Sequence, residues 1–162
     1  MATYRLVVGI IAGIILSFFT VFFFNMTGIA ALIKQNIGTN PIKAASLLVG
    51  ANFDFDMISF FTSSPTVLGF FAKELLAWIF IGLLAGIISK GFKRGITAAL
   101  LVVVIDILLW IIFSIISGED LMALFQGTQL SETLGGIISA LVGAFIGGSI
   151  GGLITGPYEE FY

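Results

Sequence analysis

The stretch LGGIISALVGAFIGGSIGGLI, residues 134–154, decides how this chain folds. It carries no charge and is long enough to cross a bilayer as one helix, which takes about 20 residues. Small residues recur in it every four positions, and residues four apart share one face of a helix. They form two adjoining columns: Gly136, Ala140, Ala144, Gly148 and Gly152 in one, and Gly135, Ser139, Gly143, Gly147 and Gly151 in the other.

These columns predict close helix packing of the small-xxx-small, or glycine-zipper, type. Glycine costs about 1 kcal/mol relative to alanine within a helix, so a face that met only lipid would gain nothing from it. Its benefit is that neighbouring backbones can approach closely. Shorter versions occur earlier in the chain, at Gly9 and Gly13 and again at Gly82 and Gly86. Packing within one subunit and packing between subunits both fit the pattern.

The composition places the whole chain in a membrane. Of its 162 residues, 59% are hydrophobic and 10% are charged, and the mean hydropathy is +1.17. A soluble domain averages about 45–50% apolar and about 25% charged residues, and could not cover its surface with so few polar groups. We therefore predict an all-α integral membrane protein with the lipid bilayer as its first partner.

The absence of cysteine and histidine removes whole classes of chemistry. Disulfides, zinc sites of the Cys/His type, and Ser-His or Cys-His catalytic arrangements are excluded. A net charge of −2 gives no basic footprint for nucleic acid. We expect no enzymatic activity, no cofactor, no bound metal and no nucleic-acid partner.

Four apolar stretches predict four transmembrane helices in a single domain, residues 1–162. Their bounds are about 6–31, 65–89, 96–116 and 134–154. The third lacks a column of small residues, so we expect it to be more peripheral. Between the first two, residues 34–64 are expected to form a small outward-facing interfacial cap. There Asn40 and Pro41 start a short helix that Gly50 ends, and Phe53 lies in headgroups or against a partner.

Charges in the short loops predict the orientation. Lys90, Lys93 and Arg94 follow the second span and should be cytoplasmic, because cytoplasmic loops carry an excess of Lys and Arg. The loop after the third span carries Glu119 and Asp120 and should face outward. With four spans, both termini are then on the cytoplasmic side of the cell membrane. The first apolar run exceeds the 7–15 residues of a signal-peptide core, so we expect an uncleaved first helix.

Asp106 is the one acid deep within a span. An isolated ionised carboxylate there costs at least about 2.5–3.5 kcal/mol, so it should face protein or water, or be protonated. Lys73 is the obvious internal partner, although hairpin geometry puts it about 9 Å nearer the outer side. Glu74 is expected at the outer interface, or else as a second acid on a conduction path. Structural pairing, proton or ion handling, and a local hydrogen bond of the neutral acid all fit Asp106.

Two classes of function follow from these observations. The first is a non-catalytic structural or accessory subunit of a homo- or hetero-oligomeric membrane complex, assembled through glycine-rich helix packing. The second is a small oligomeric channel, or a proton- or cation-coupled transporter, that uses Asp106. The sequence favours the first, because it needs only close packing and the spans contain few polar residues. Asp54 and Asp56 are expected to lie in a solvated loop, since two acids alone are weak grounds for a cation site.

Overall fold

Helices make up the regular structure of this protein. The structure, a computed structural model, describes residues 2–63, 65–120, 122 and 126–156. No strand occurs among them, which confirms the all-helical class. The helices are α1 Ala2–Ser17, α2 Thr20–Phe23, α3 Thr27–Asn36, α4 Pro41–Gly50, a 3-10 turn Ala51–Phe53, α5 Met57–Ser63, α6 Val67–Phe70, α7 Lys73–Ser89, α8 Phe92–Ser117 and α9 Gly127–Ile154.

Three helical segments in the described part of the chain are long and apolar enough to cross a membrane: Pro41–Ser63, Phe92–Ser117 and Gln129–Ile154. The last two contain the predicted third and fourth spans. At 1.5 Å per residue, the 26 residues of α8 measure about 39 Å. The first segment is interrupted, because non-helical residues 54–56 separate the 3-10 turn from α5.

The predicted first span, residues 6–31, differs in the structure because it is not a single helix. α1 ends at Ser17, whose hydroxyl donates to the Ile14 carbonyl at 2.8 Å, and the chain passes through α2 before α3 begins. Asn25 turns the chain with a φ of 51°, a left-handed conformation that asparagine tolerates better than most residues. Serine and threonine hydroxyls that bond to the backbone compete with the helical ladder, which favours a break here.

The sequence predicts the second span over residues 65–89, and its predicted start lies before the start of the helix in the structure. The helix that crosses this region, α7, begins at Lys73. Thr66 instead caps the short α6, its hydroxyl accepting a hydrogen bond from the Gly69 N–H at 3.1 Å. α7 therefore has 17 residues and measures about 26 Å, less than the roughly 30 Å of a hydrocarbon core.

Both columns of small residues on α9 are covered by helices of the same chain. A methyl group on Gly143 would lie 2.7 Å from Trp78 Cβ on α7. The Gly148 carbonyl would lie 2.8 Å from a methyl group on Gly86 of α7, and 2.5 Å from one on Gly95 of α8. Backbones this close are held by dispersion and by weak Cα–H hydrogen bonds. The other members of the two columns are also buried: Gly135, Gly136, Ser139, Ala140, Ala144, Gly147, Gly151 and Gly152.

α8 is the least buried of the three candidate spans, in keeping with the expectation that it is more peripheral. It nevertheless carries small residues that the sequence analysis missed. Gly95, Ala98 and Ala99 are buried on it, and Ala99 Cβ would lie 2.8 Å from a methyl group on Gly148. Gly95 and Ala99 are four residues apart and face α9. They were missed because the predicted apolar stretch begins at residue 96, one position after the glycine.

The two glycines of α1 position it against α7 and α8. A methyl group on Gly9 would lie 2.8 Å from the Ala85 carbonyl of α7, and one on Gly13 would lie 2.5 Å from Val102 Cγ2 of α8. α1 therefore runs beside the half of the bundle that contains the α7–α8 turn. We call that half the turn end, and the opposite half, where α8 ends and α9 begins, the cleft end.

α4 packs along the cleft-end half of α8. Its predicted start is confirmed, because the Asn40 side chain accepts from the Lys43 N–H at 3.0 Å and caps the helix. The Asn40 amide also donates to the Ser117 carbonyl at 3.4 Å, at the end of α8. Ten residues later, a methyl group on Gly50 would lie 2.7 Å from Trp110 Nε1. α4 thus descends from the cleft end toward the middle of the bundle.

Phe53, at the end of this descent, is not in an interfacial cap. It is 4% exposed, and its ring stacks on Trp110 with centroids 5.6 Å apart and an interplanar angle of 15°. Trp78 packs on it at 5.3 Å. The sequence-based placement overlooked that Gly136 leaves room on α9 for the backbone of this turn, whose Phe53 carbonyl lies against that glycine.

We predict opposite effects for the same substitution at two helical glycines. Gly148→Ala should destabilise the bundle by about 1–3 kcal/mol, because the new methyl group meets the backbone of α8 and overpacks the contact. Gly28→Ala has nothing within 4 Å of the new methyl group and should stabilise α3 by up to about 1 kcal/mol. Unfolding by SDS in mixed micelles measures both, and a Gly148→Ala protein as stable as wild type would contradict this packing.

Candidate functional site

A group of buried polar side chains lies halfway along the bundle, where helical segments end. α1 stops there at Ser17, the 3-10 turn follows α4, and α7 begins nearby. Ser17, Thr20, Asn52 and Asp106 are each 0% exposed. Burying a polar group without a hydrogen bond costs free energy. The partners of these four side chains therefore decide whether the group is purely structural.

Asn52 connects three segments of the chain. Its side-chain amide donates to the Ser17 carbonyl at 3.0 Å, and the Thr20 hydroxyl donates to its Oδ1. Trp78 Nε1 donates to the Asn52 main-chain carbonyl at 2.8 Å. The last carbonyls of a helix lack partners within it, and Asn52 supplies one at the end of α1. This network fixes the break after α1 to the 3-10 turn and to α7.

Asp106 has no such partner. Neither carboxylate oxygen makes a hydrogen bond to any described residue. The Ser17 hydroxyl of α1 is close enough to act on the carboxylate as a side-chain hydrogen-bond donor, but its geometry directs it to the Ile14 carbonyl at 2.8 Å. Most buried polar atoms in folded proteins are hydrogen-bonded, so each exception calls for an explanation. An acid that binds and releases a proton or a cation is one such explanation.

The structure does not bring Lys73 to Asp106. The Lys73 ammonium donates instead to the Asn25 carbonyl at 3.2 Å, which holds the turn between α2 and α3 against the start of α7. Glu74 is half-buried in the first turn of α7, a position where a negative charge is favoured by the helix dipole. The expected Lys73–Asp106 pair is therefore absent within the described chain.

A cleft of about 490 Å³ opens at the cleft end, beside the 3-10 turn. Aromatic rings form part of its lining, together with three acids, two hydroxyls and an amide. The cleft is lined by Gly50, Phe53, Asp54, Asp56, Ser59, Trp110, Gln129, Glu132 and Thr133. The acids expected in a solvated loop thus line a concave surface that leads inward to aromatic side chains.

The three acids of the cleft have different roles. Asp56 caps α5, because its Oδ1 accepts from the Ile58 and Ser59 N–H groups at 2.9 and 3.1 Å. Asp54 and Glu132 carry like charges that act on one another, and they give the cleft a negative potential. Among the described residues, no three acids are grouped so as to hold a metal ion. The cleft is an acidic opening.

Sequence reasoning missed three residues of this region: Asn52, Phe53 and Trp78. One signal was available for Asn52, which is a polar residue within a largely apolar run beginning at residue 44. Nothing local indicated that Trp78, 26 positions away, would donate to its carbonyl. Such long-range pairing depends on the three-dimensional path of the chain and not on a motif.

Comparisons with protein-family models, with curated proteins and with solved structures found no match for this chain. A fold alone does not define a function, because unrelated functions occur on the same fold. The buried polar group, the cleft and the helix breaks are the features of this chain that bear on its function.

We predict that Asn52→Ala destabilises the protein by about 1–3 kcal/mol, because buried partners at Ser17 and Thr20 lose their hydrogen bonds. Asn36→Ala is the matched control: its amide donates to the Leu32 carbonyl at an exposed position, so the change should stay within about 0.5 kcal/mol. SDS unfolding in mixed micelles compares the two variants. Equal stability would show that the Asn52 network contributes nothing.

Proposed function

We propose that this protein is a small membrane transport protein in which Asp106 binds the transported proton or cation. The observation that supports this most directly is the fully buried carboxylate without a hydrogen-bond partner among the described residues. It lies beside the ends of broken helical segments, in a chain with three segments able to cross a membrane. This ranks the transport class above the accessory-subunit class that the sequence favoured.

The energetics of Asp106 support a dynamic role. An ionised carboxylate at the centre of a membrane costs at least about 2.5–3.5 kcal/mol, and acids placed there mark proton relays and ion pathways. A bound proton or a bound cation removes that cost, and releasing either restores it. A purely structural acid would be expected to accept a well-formed hydrogen bond from a neighbouring helix, whereas the Ser17 hydroxyl beside Asp106 is directed to the Ile14 carbonyl instead.

The broken helices support the same function. Transporters commonly build their binding sites near mid-membrane from discontinuous helices, since unwound backbone is tolerated only where protein or water covers it. Here α1 ends at Ser17 and the chain continues through a turn at Asn25. Ser17, at the first interruption, lies beside Asp106, and Asn25, at the second, contacts Lys73 at the start of α7. The inverted repeat found in many transporters is not visible in this sequence, so the proposal concerns the site and not a known transporter fold.

We propose four membrane crossings, two continuous and two composite. α8 and α9 are the continuous ones. The first composite crossing is α1 followed by α3, and the second is α4 followed, after α5 and α6, by α7. Gly9 packs near the end of α7, and Gly152 packs against Gly91 in the α7–α8 turn. Both observations place the start of α1 and the end of α9 at the turn end, which supports two cytoplasmic termini.

The accessory-subunit class becomes the alternative. The sequence favoured it because each of the two columns of small residues can pack against a different neighbouring helix, one of them in another subunit. Helices of the same chain cover both columns on α9, so the close packing needs no second copy. Assembly with itself or with other membrane subunits stays a proposal that this packing does not require.

Orientation can be tested by labelling, because the chain contains no cysteine. A cysteine introduced by Lys93→Cys, at the turn end, should not react with a membrane-impermeant maleimide added to intact cells. One introduced by Thr39→Cys, between α3 and α4, should react, because it lies at the cleft end on the proposed outer side. Both positions are exposed, so a reversed labelling pattern would mean a reversed orientation.

Transport can be tested in liposomes that contain the purified protein. Wild type should dissipate an imposed proton or sodium gradient faster than protein-free liposomes do. Asp106→Asn should reduce the flux to the protein-free level. The asparagine amide has nearly the size of the carboxylate, but it neither takes up a proton at neutral pH nor carries the charge that binds a cation. Asp120→Asn is the charge-matched control, because Asp120 is exposed and accepts a hydrogen bond from the Met122 N–H.

The outcomes separate the two functions. Flux in wild type and in Asp120→Asn, with none in a folded Asp106→Asn protein, supports transport. A wild type without flux, together with loss of folding or assembly in Asp106→Leu, would contradict transport and support the structural class. Size-exclusion chromatography in mild detergent shows whether each variant remains folded.

A further inference from the structure

We infer that the ring of Phe53 closes a route between the acidic cleft and Asp106, so that the proton or cation reaches Asp106 from the cleft end. This inference builds on the proposed function, because it assigns the side of access to the same site. It concerns a side chain that sequence reasoning placed in an interfacial cap.

The cleft reaches the face of α8 that carries Asp106. Phe53 and Trp110 both line the cleft, and their rings are stacked at 5.6 Å. Trp110 follows Asp106 by four residues on α8, so the two side chains share a face about 6 Å apart along the helix. The aromatic pair is therefore the layer that separates the open cleft from the buried carboxylate.

Phe53 is the member of that layer best placed to move. Its predecessor, Asn52, is held by three hydrogen bonds, whereas residues 54–56 after it are non-helical. Trp110 is confined by Gly50, at which a methyl group would lie 2.7 Å from the indole nitrogen. Rotation of one phenyl ring would thus open the floor without moving a helix.

The charges of the cleft favour cations. Asp54 and Glu132 line it, and Asp56 contributes a third carboxylate that caps α5. Acidic groups in a concave, low-dielectric surface raise the local concentration of positive ions. The described lining contains no lysine or arginine to oppose them. A proton or cation would therefore be concentrated immediately above Phe53.

At the turn end, the described helices leave little space between them. There α1, α7, α8 and α9 pack through glycines, and the Gly148 carbonyl would lie 2.5 Å from a methyl group on Gly95. Gly13 likewise sits directly against Val102. Opening this half would require backbones to separate, which is a larger rearrangement than turning one ring. Access to Asp106 from the cleft end therefore requires a smaller rearrangement than access from the turn end.

The rate at which a cysteine in place of Asp106 is labelled tests the inference. Asp106→Cys provides a single thiol, because the chain has no other. The probe is a small cationic methanethiosulfonate, added from either side of liposomes that hold the protein in one orientation. With Phe53 present, labelling from the cleft side should be slow. Adding Phe53→Ala should speed labelling by about tenfold. The free energy of one aromatic contact corresponds to a rate change of about that size.

Two further variants control the result. Phe60→Ala removes a ring of the neighbouring aromatic cluster on α5 that does not line the cleft, and it should leave the labelling rate unchanged. Phe53→Leu fills part of the space and should give an intermediate rate, and it serves in place of Phe53→Ala if that variant does not fold. Size-exclusion chromatography establishes folding before any rate is compared.

Either of two results would overturn the inference: folded Phe53 variants that label no faster than the parent, or equal labelling from the turn end. The readout does not depend on flux. A wild type without flux would therefore defeat the proposed function while labelling still reports the route. Intact flux with unchanged labelling would instead place the route elsewhere and leave the function standing.

Discussion

Backbone contact along α9 is the constraint on which the rest of this structure depends. In lipid, helices gain little from burying apolar side chains against one another, so van der Waals packing must hold them together. Gly148 meets α7 on one side and α8 on the other, at distances that no Cβ atom would allow. This contact sets the spacing of the three helices, and α1 then fits beside them through Gly9 and Gly13.

The consequence is a bundle with two unlike halves. At the turn end the helices are continuous and their backbones touch, so there is little space for a ligand and little freedom to move. At the cleft end the chain is built from shorter pieces held by side chains, among them a hydroxyl pair between Ser46 and Ser114 with oxygens 2.9 Å apart. Asp106 lies at the boundary between these halves, where the closely packed backbones give way to shorter segments held by side chains.

The sequence predicted the continuous half well and the interrupted half poorly. Long charge-free runs identified α8 and α9, because hydropathy over about 20 residues is what a spanning helix requires. The same averaging concealed the breaks at Ser17 and Asn25, where polar side chains bond to the backbone within an apolar run. Asp106 was found as a lone acid, but the position of Lys73 depends on a turn that the pattern does not show. Phe53 was misplaced because its partners lie far away in sequence.

The order in which the segments are made adds a consequence for biogenesis. α1 precedes α7, α8 and α9 in the chain, yet its glycines fit surfaces on α7 and α8, and those two helices in turn pack on α9, which follows them. Until α9 is made, the polar groups near Ser17 already have Asn52 in the chain but lack the packed core around them. The packing of α1 is therefore completed only after α9 has been synthesised.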